Sequence, residues 1–202
     1  NTDCAFFAAD VTDREQVDRL FDEFTQRFGG RLDVFVHCGG AQVPPGLFTQ
    51  LDPAQFRAQI DGHFTSMLFC THRAVQLMIP RKQGSIITVA SDAGKTATPA
   101  ETVIGAAKAA AIMFTRTLAL EMARHGIRAN CLTPSIVRDT RSHTRVMSSE
   151  VGRRVFEKAE GRARLGVPVP DDLAPLAVFL ASPQSSRITG QAISVNGGIS
   201  AA

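Results

Sequence analysis

The stretch Ser85-Ile86-Ile87-Thr88-Val89-Ala90-Ser91, continued by Ile104-Gly105-Ala106-Ala107-Lys108 and closed at Pro134, decides the fold of this chain. Ser85 to Ala90 is rich in β-branched residues and continuous in its apolar character, as expected of a strand buried on both faces. Glu101 to His125 is alanine-rich and long enough for several helical turns, and Ile127 to Leu132 reads as a second strand, ended by Pro134. Strand, helix and strand in that order make a βαβ unit, whose two strands run parallel.

The alternation extends outward in both directions. Cys4 to Ala9 reads as a strand, Thr12 to Phe28 as a helix with Val17, Leu20, Phe21 and Phe24 at helical spacing, and Leu32 to Cys38 as the next strand. Gly29-Gly30 follows that helix and reads as its C-cap. Pro53 to about Pro80 is a long helix opened by Asp52 as N-cap and by a first-turn proline. Asp171 to Leu180 is a further helix and Ala192 to Val195 the last strand. The expectation is an α/β fold with a mostly parallel sheet, in a single domain over residues 1–202.

Composition narrows the function classes. The 202 residues are 44% hydrophobic and 20% charged, enough to bury one sizeable core. The formal charge of +3 is spread along the chain, with only short basic groupings such as Arg81-Lys82 and Arg153-Arg154, so no nucleic-acid partner is expected. Cys4, Cys38, Cys70 and Cys131 lie far apart and form no C-x-x-C pair, which argues against a metal site or a disulfide framework and fits the reducing cytoplasm. No apolar run reaches the roughly 18 residues of a membrane span, so no membrane partner is expected.

Ser91 stands thirteen residues before Ile104, and Lys108 four after it. With Asp10-Val11, His37-Cys38-Gly39-Gly40, Pro134-Ser135 and the closing run from Ile188-Thr189-Gly190-Gln191 to Val195-Asn196-Gly197-Gly198, this pattern resembles the short-chain dehydrogenase/reductase family over nearly the whole chain. The resemblance implies a Rossmann-like, doubly wound parallel sheet entered at its third strand, lacking the first two strands and the glycine-rich turn that takes a dinucleotide pyrophosphate. In the order 3-2-1-4-5-6 those strands would lie between Cys4–Ala9 and Leu32–Cys38, leaving the first run without a neighbour and the second with an open edge. The chain is therefore expected to be a fragment of a longer polypeptide.

The same resemblance implies a cofactor, NAD or NADP, without choosing between them, because the residue that reads the ribose 2′ position follows the sheet's second strand. Asp10 and Val11 would lie against the adenine ring; N-capping of the next helix is an equal alternative for this segment. Cys38, Gly39 and Gly40 replace the family's asparagine-rich turn and keep its close backbone approach. Pro134, Ser135 and Val137 would back the nicotinamide, and the threonine that caps its carboxamide falls on Asp139, with Thr140 one place late. Lys108 would bind the nicotinamide ribose, and Ser91 would orient a substrate carbonyl; an exposed helix lysine and an ordinary turn serine are the alternatives.

At the family's catalytic tyrosine stands Ile104, and the chain contains no tyrosine. An aliphatic side chain neither donates nor accepts a proton. His63, at the position of the asparagine that holds a relay water, titrates near neutrality when unperturbed and is a candidate proton carrier; a packed helical histidine is the simpler reading. Three functions remain open: an NAD(P)-dependent oxidoreductase using Ser91 with His63, Lys108 or water in place of the phenol; a non-redox isomerase or dehydratase on the same fold; and a catalytically silent subunit.

The segment Arg141 to Val169 corresponds to the family's lid. Its basic residues, Arg141, Arg145, Arg153, Arg154 and Lys158, suit a carboxylate, phosphate or coenzyme A tail, or simply a solvated helix face. The substrate is expected to be a small molecule. The long helices Pro53–Pro80 and Glu101–His125 carry surplus apolar positions, including Met67, Leu68, Phe69, Met113, Phe114 and Leu118, so a homodimer or homotetramer built through them is expected.

Overall fold

Four strands, Val34–His37 (β1), Gly84–Val89 (β2), Ile127–Leu132 (β3) and Ala192–Ile193 (β4), form one sheet in the order β1-β2-β3-β4, and every neighbouring pair is parallel. The computed structural model describes residues 3–41 and 43–201. Helices Arg14–Phe28 (α1), Phe56–Ile60 (α2), Ser66–Met78 (α3), Thr102–Ala123 (α4), Arg141–Met147 (α5), Glu150–Glu160 (α6) and Pro170–Ala181 (α7) connect and cover the strands. The α/β, Rossmann-like reading holds.

Strand β2 explains the layering. Successive side chains of a strand point to opposite faces. Ile86 accordingly packs with Met78 of α3 and with Leu118 and Met122 of α4, while Ile87 packs with Leu132 and with Leu180 of α7. Both isoleucines are fully buried. The central strand is thus covered on both faces, as its unbroken apolar character requires.

Several expectations need correction. Cys4 to Ala9 forms no strand: among the described residues no strand pairs with it, so its backbone groups have no ladder to join. The next helix is capped not at Asp10 or Thr12 but at Asp13, whose carboxylate accepts from the amides of Glu15 and Gln16. Asp10 closes an Asx turn on Thr12 instead, at 2.9 Å to its amide and 2.7 Å to its hydroxyl. Gly29 is the C-cap, in the left-handed conformation at φ 65°.

The long helix expected from Pro53 to Pro80 is broken into pieces: a 3₁₀ turn at Pro53–Gln55, α2, a π-helical turn at Asp61–Thr65, α3, and a 3₁₀ turn at Ile79–Arg81. The π turn carries Gly62 and His63, and such turns recur at functional sites. Helix α4 also qualifies the expectation about membranes, being long and apolar enough to cross one by length and composition. Here one face of α4, with Ala107, Ala111, Ile112 and Ala119, is buried in the protein.

The turn after β2 docks onto α4 through two glycines. A Cβ on Gly94 would lie 2.7 Å from the carbonyl carbon of Lys108 and 2.8 Å from the Ala109 nitrogen, and one on Gly105 would lie 2.9 Å from the Ala93 carbonyl oxygen. Backbone cannot yield the way a side-chain tip does, so Gly94→Ala should destabilise the fold by about 1–3 kcal/mol, the range for overpacking. A thermal unfolding midpoint equal to that of the unmodified chain would show that the turn does not sit this close.

Candidate active site

The carboxyl ends of parallel strands are where α/β sheets bind ligands, and here they open into a cleft of about 640 Å³. Its floor comes from the loops that follow β1, β2 and β3, and its roof from α5 to α7. Ser91, Lys108, His63, Cys38, Gly39, Gly40, Pro134, Ser135 and Val137 all line it. Asp10 and Val11 do not; Val11 packs beneath α1 with Val17 and Phe21.

Ser91, two residues beyond β2, is extended and caps the turn Asp92–Gly94, its Oγ accepting from the Ala93 amide at 3.2 Å. The hydroxyl proton remains available to an acceptor in the cleft. The turn is anchored from behind. The Asp92 amide donates to the Pro134 carbonyl at 2.8 Å, and the buried Asp92 carboxylate accepts from Asn196 Nδ2 at 2.6 Å, Ser200 Oγ at 2.6 Å and Ser194 Oγ at 3.1 Å. Asn196 of the closing run therefore acts one residue away from Ser91, a link the linear spacing does not reveal.

Lys108 is buried, 7% exposed, with its Nζ donating to the Val89 carbonyl at 3.2 Å. Burial lowers its pKa, opposed by the attraction of Cys131, Cys38 and Glu101. Its charge acts on two buried histidines. Desolvation first, and then repulsion from Lys108, push both His37 and His63 down to about 4, so each is neutral at pH 7. The His37 Nε2 lies 3.4 Å from Ser66 Oγ, while neither ring nitrogen of His63 has a partner among the described residues.

Glycines fit the histidines into place. A Cβ on Gly40 would lie 3.3 Å from the His63 ring, one on Gly39 would lie 3.0 Å from the His37 ring, and one on Gly62 would lie 2.8 Å from the Ala41 backbone. The loop after β1 thus rests directly on the π turn. Thr140, not Asp139, reaches the cleft; it donates to the Val137 carbonyl at 2.8 Å and caps α5 by accepting from the His143 amide. Asp139 takes a left-handed conformation, φ 60°, and that turn brings Thr140 inward.

Sequence reasoning missed Glu101. It sits at the N-cap position of α4, and Glu101, Ile104 and Lys108 fall at i, i+3 and i+7 on one helix face lining the cleft. Burial raises the Glu101 carboxyl to about 7 against the opposing pull of Lys108. The helical spacing was there to find it, but the five-residue motif begins three residues later.

Comparison with known proteins gives the family. The family described as Enoyl-(Acyl carrier protein) reductase matches residues 1–200. The chain is 31% identical over 194 residues to the 3-oxoacyl-[acyl-carrier-protein] reductase FabG of Thermotoga maritima, covering 96% of this chain and 76% of that protein. It is 32% identical over 195 residues to the (3R)-3-hydroxyacyl-CoA dehydrogenase of Canis lupus familiaris, covering 96% of this chain and 73% of that one. Among solved structures, ElxO with NADP bound superposes with a TM-score of 0.83 at 28% identity, covering 96% of this chain and 77% of that one. Levodione reductase shares the fold, with a TM-score of 0.86 at 23% identity over 94% of this chain and 74% of that one. The chain belongs to the short-chain dehydrogenase/reductase family.

The buried histidines make a stability prediction. Unfolded, each takes up a proton near its ordinary pKa of 6.5, whereas folded it does so only near 4. Their neutral burial therefore costs stability progressively as the pH falls from 6.5 to 4. His63→Asn should flatten that loss, read as the thermal midpoint against pH; an unchanged slope would mean that His63 is not held neutral in the folded protein.

Proposed function

We propose that this chain is an NAD(P)-dependent oxidoreductase that interconverts a carbonyl and a secondary alcohol on a small molecule or an acyl thioester. The observation that carries this reading is the convergence of Ser91 and the buried Lys108 on one cleft whose loops are kept thin by Gly39 and Gly40. Relatives act on 3-oxoacyl and 3-hydroxyacyl thioesters by name, and ElxO holds NADP, which supports the substrate class and the cofactor. The residues present fit a nicotinamide ribose: the unpartnered His63 nitrogens and the Lys108 ammonium are buried polar groups that need hydroxyl or water partners.

In this reading Lys108 would hold the ribose hydroxyls, and Gly39, Gly40, Pro134, Ser135, Val137 and Thr140, which line the same cleft, would hold the nicotinamide. The dinucleotide supplies or takes the hydride. Ser91 donates a hydrogen bond to the substrate oxygen and polarises the carbonyl. Neutral His63 is a poor acid at pH 7, so it serves as an acceptor that fixes a water rather than as the proton donor. The roof helices α5 to α7 exclude solvent, with Phe156 and Leu173 facing the cleft.

Residues 1–202 act as one dinucleotide-binding domain, and the edge of its sheet at β1 is open to a further strand. That is supported by the apolar outer edge of β1, where Val34 and Val36 are 36% and 48% exposed. Self-association into a homodimer or homotetramer is supported by Met113 and Leu120 of α4, which are 58% and 80% exposed. The four free cysteines support a reducing compartment, the cytoplasm. A second reading, a non-redox enzyme or a silent subunit, is favoured by Ile104, which lines the cleft where the family's phenol would stand.

The test is a titration of NADH and NADPH into the full-length chain, followed by dinucleotide fluorescence. One of the two should bind, and Lys108→Ala should weaken it tenfold or more, about 1.4 kcal/mol. Failure of both to bind would remove the oxidoreductase reading and leave the non-redox and silent ones. Light scattering at micromolar concentration should report a dimer or tetramer, and a monomer would overturn the helix-mediated assembly.

A further inference from the structure

The oxidoreductase reading leaves the proton-donating step to Lys108, to water or to a group not yet named, since Ile104 has no proton to give and His63 is neutral at working pH. We infer that Glu101 is the general acid and base of this site, a catalytic residue that replaces the missing phenol from one helical turn away. The inference rests on the proposed function above.

The geometry comes first. Glu101, Ile104 and Lys108 share the face of α4 that lines the cleft, and Ser91 lines it from just beyond β2. Helical neighbours three apart lie one above the other. A branched aliphatic at 104 is shorter than a phenol, and Glu101, at the N-cap three residues before it, lines the same cleft. That carboxyl is partly buried, and no hydrogen bond to it is made among the described residues, so its proton is not committed to structure.

The surroundings suit the role. Lys108 attracts the Glu101 carboxylate; Cys38 of the loop after β1, His63 of the π turn, and Arg141, His143 and Arg145 of α5 line the same cleft, and the buried Cys131 of β3 and His37 of β1 lie within electrostatic reach of Lys108. The two histidines are neutral and the thiol of Cys131 is held protonated by burial, which leaves Lys108 and the α5 arginines as the fixed charges. Desolvation holds the Glu101 carboxyl near 7, where half is protonated at working pH, the condition under which one group serves as both acid and base.

The step balances. In reduction the carbonyl carbon accepts the hydride of the reduced nicotinamide, and the carbonyl π pair becomes the O–H bond to the proton of Glu101. Glu101 leaves as a carboxylate and is reprotonated from solvent, while the dinucleotide leaves oxidised. In alcohol oxidation every movement reverses.

The experiment compares the full-length chain with Glu101→Gln, which keeps shape and removes the proton. First, carboxyl-labelled glutamate is titrated by NMR. One signal should titrate near 7 and be absent from Glu101→Gln; a spectrum with all glutamates titrating near 4.5 would overturn the inference. Second, NADPH oxidation is followed with a panel of small ketones and 3-oxoacyl thioesters. Glu101→Gln should lose activity by about 10²–10⁴-fold, the usual contribution of a general acid, and should lose the inflection near pH 7. Its dinucleotide affinity and thermal midpoint should be retained. Full activity with an unchanged pH profile would overturn the proposal, as would dinucleotide binding by the unmodified chain without turnover of any panel member. Failure of the unmodified chain to bind NADH or NADPH would remove the parent reading instead, and this role with it.

Discussion

The site depends on backbone approaching backbone with nothing between. At one seam Gly94 and Gly105 set the turn that bears Ser91 against the helix that bears Lys108; at the other Gly62 sets the π turn that bears His63 against Ala41 of the loop after β1. Contacts of 2.7–2.9 Å to a hypothetical Cβ mean that no larger residue fits unless an element moves. Close packing makes such seams rigid. The spacing between Ser91, His63 and Lys108 is therefore set by the scaffold rather than by the side chains themselves.

Burial of Lys108 then organises the electrostatics. Two histidines are kept uncharged by their own burial first and then by this one ammonium, which is held by the Val89 carbonyl and draws on the Glu101 carboxyl that desolvation has moved the other way. Groups of opposite type pushed toward or past neutrality by a shared apolar wall are the usual arrangement of acid–base sites. The roof adds a second, exposed charge system: Arg138 binds Glu160 through two nitrogens at 3.1 and 2.9 Å, tying the entry to α5 to the end of α6. That pair holds the lid elements together while leaving Arg141, Arg145 and Ser142 at the cleft.

Much of this could be read from the sequence. The central strands β2 and β3 were plain because burial on both faces demands unbroken apolar runs, and the resemblance to the family singled out Ser91 and Lys108, which line one cleft. What stayed hidden depended on partners distant in sequence. Cys4 to Ala9 has every local mark of a strand, yet a strand needs a neighbour. The π turn around His63 arises where Gly62 meets Ala41, a contact some twenty residues away in the chain. The Asp92 cluster with Asn196 and Ser200 spans more than a hundred residues, and the altered acidity of Glu101 and of the histidines comes from burial, which spacing does not reveal.

The central claim is that Ser91, Lys108 and the glycine loop after β1 form a working nicotinamide site even without a tyrosine. A crystal structure of the full-length chain with NADPH tests it most directly. The account predicts the nicotinamide ring between Gly39-Gly40 and Pro134-Ser135, with Lys108 on the ribose hydroxyls and Ser91 facing the ring's open side. A dinucleotide found elsewhere, or a cleft closed by the Ile104 side chain, would contradict it.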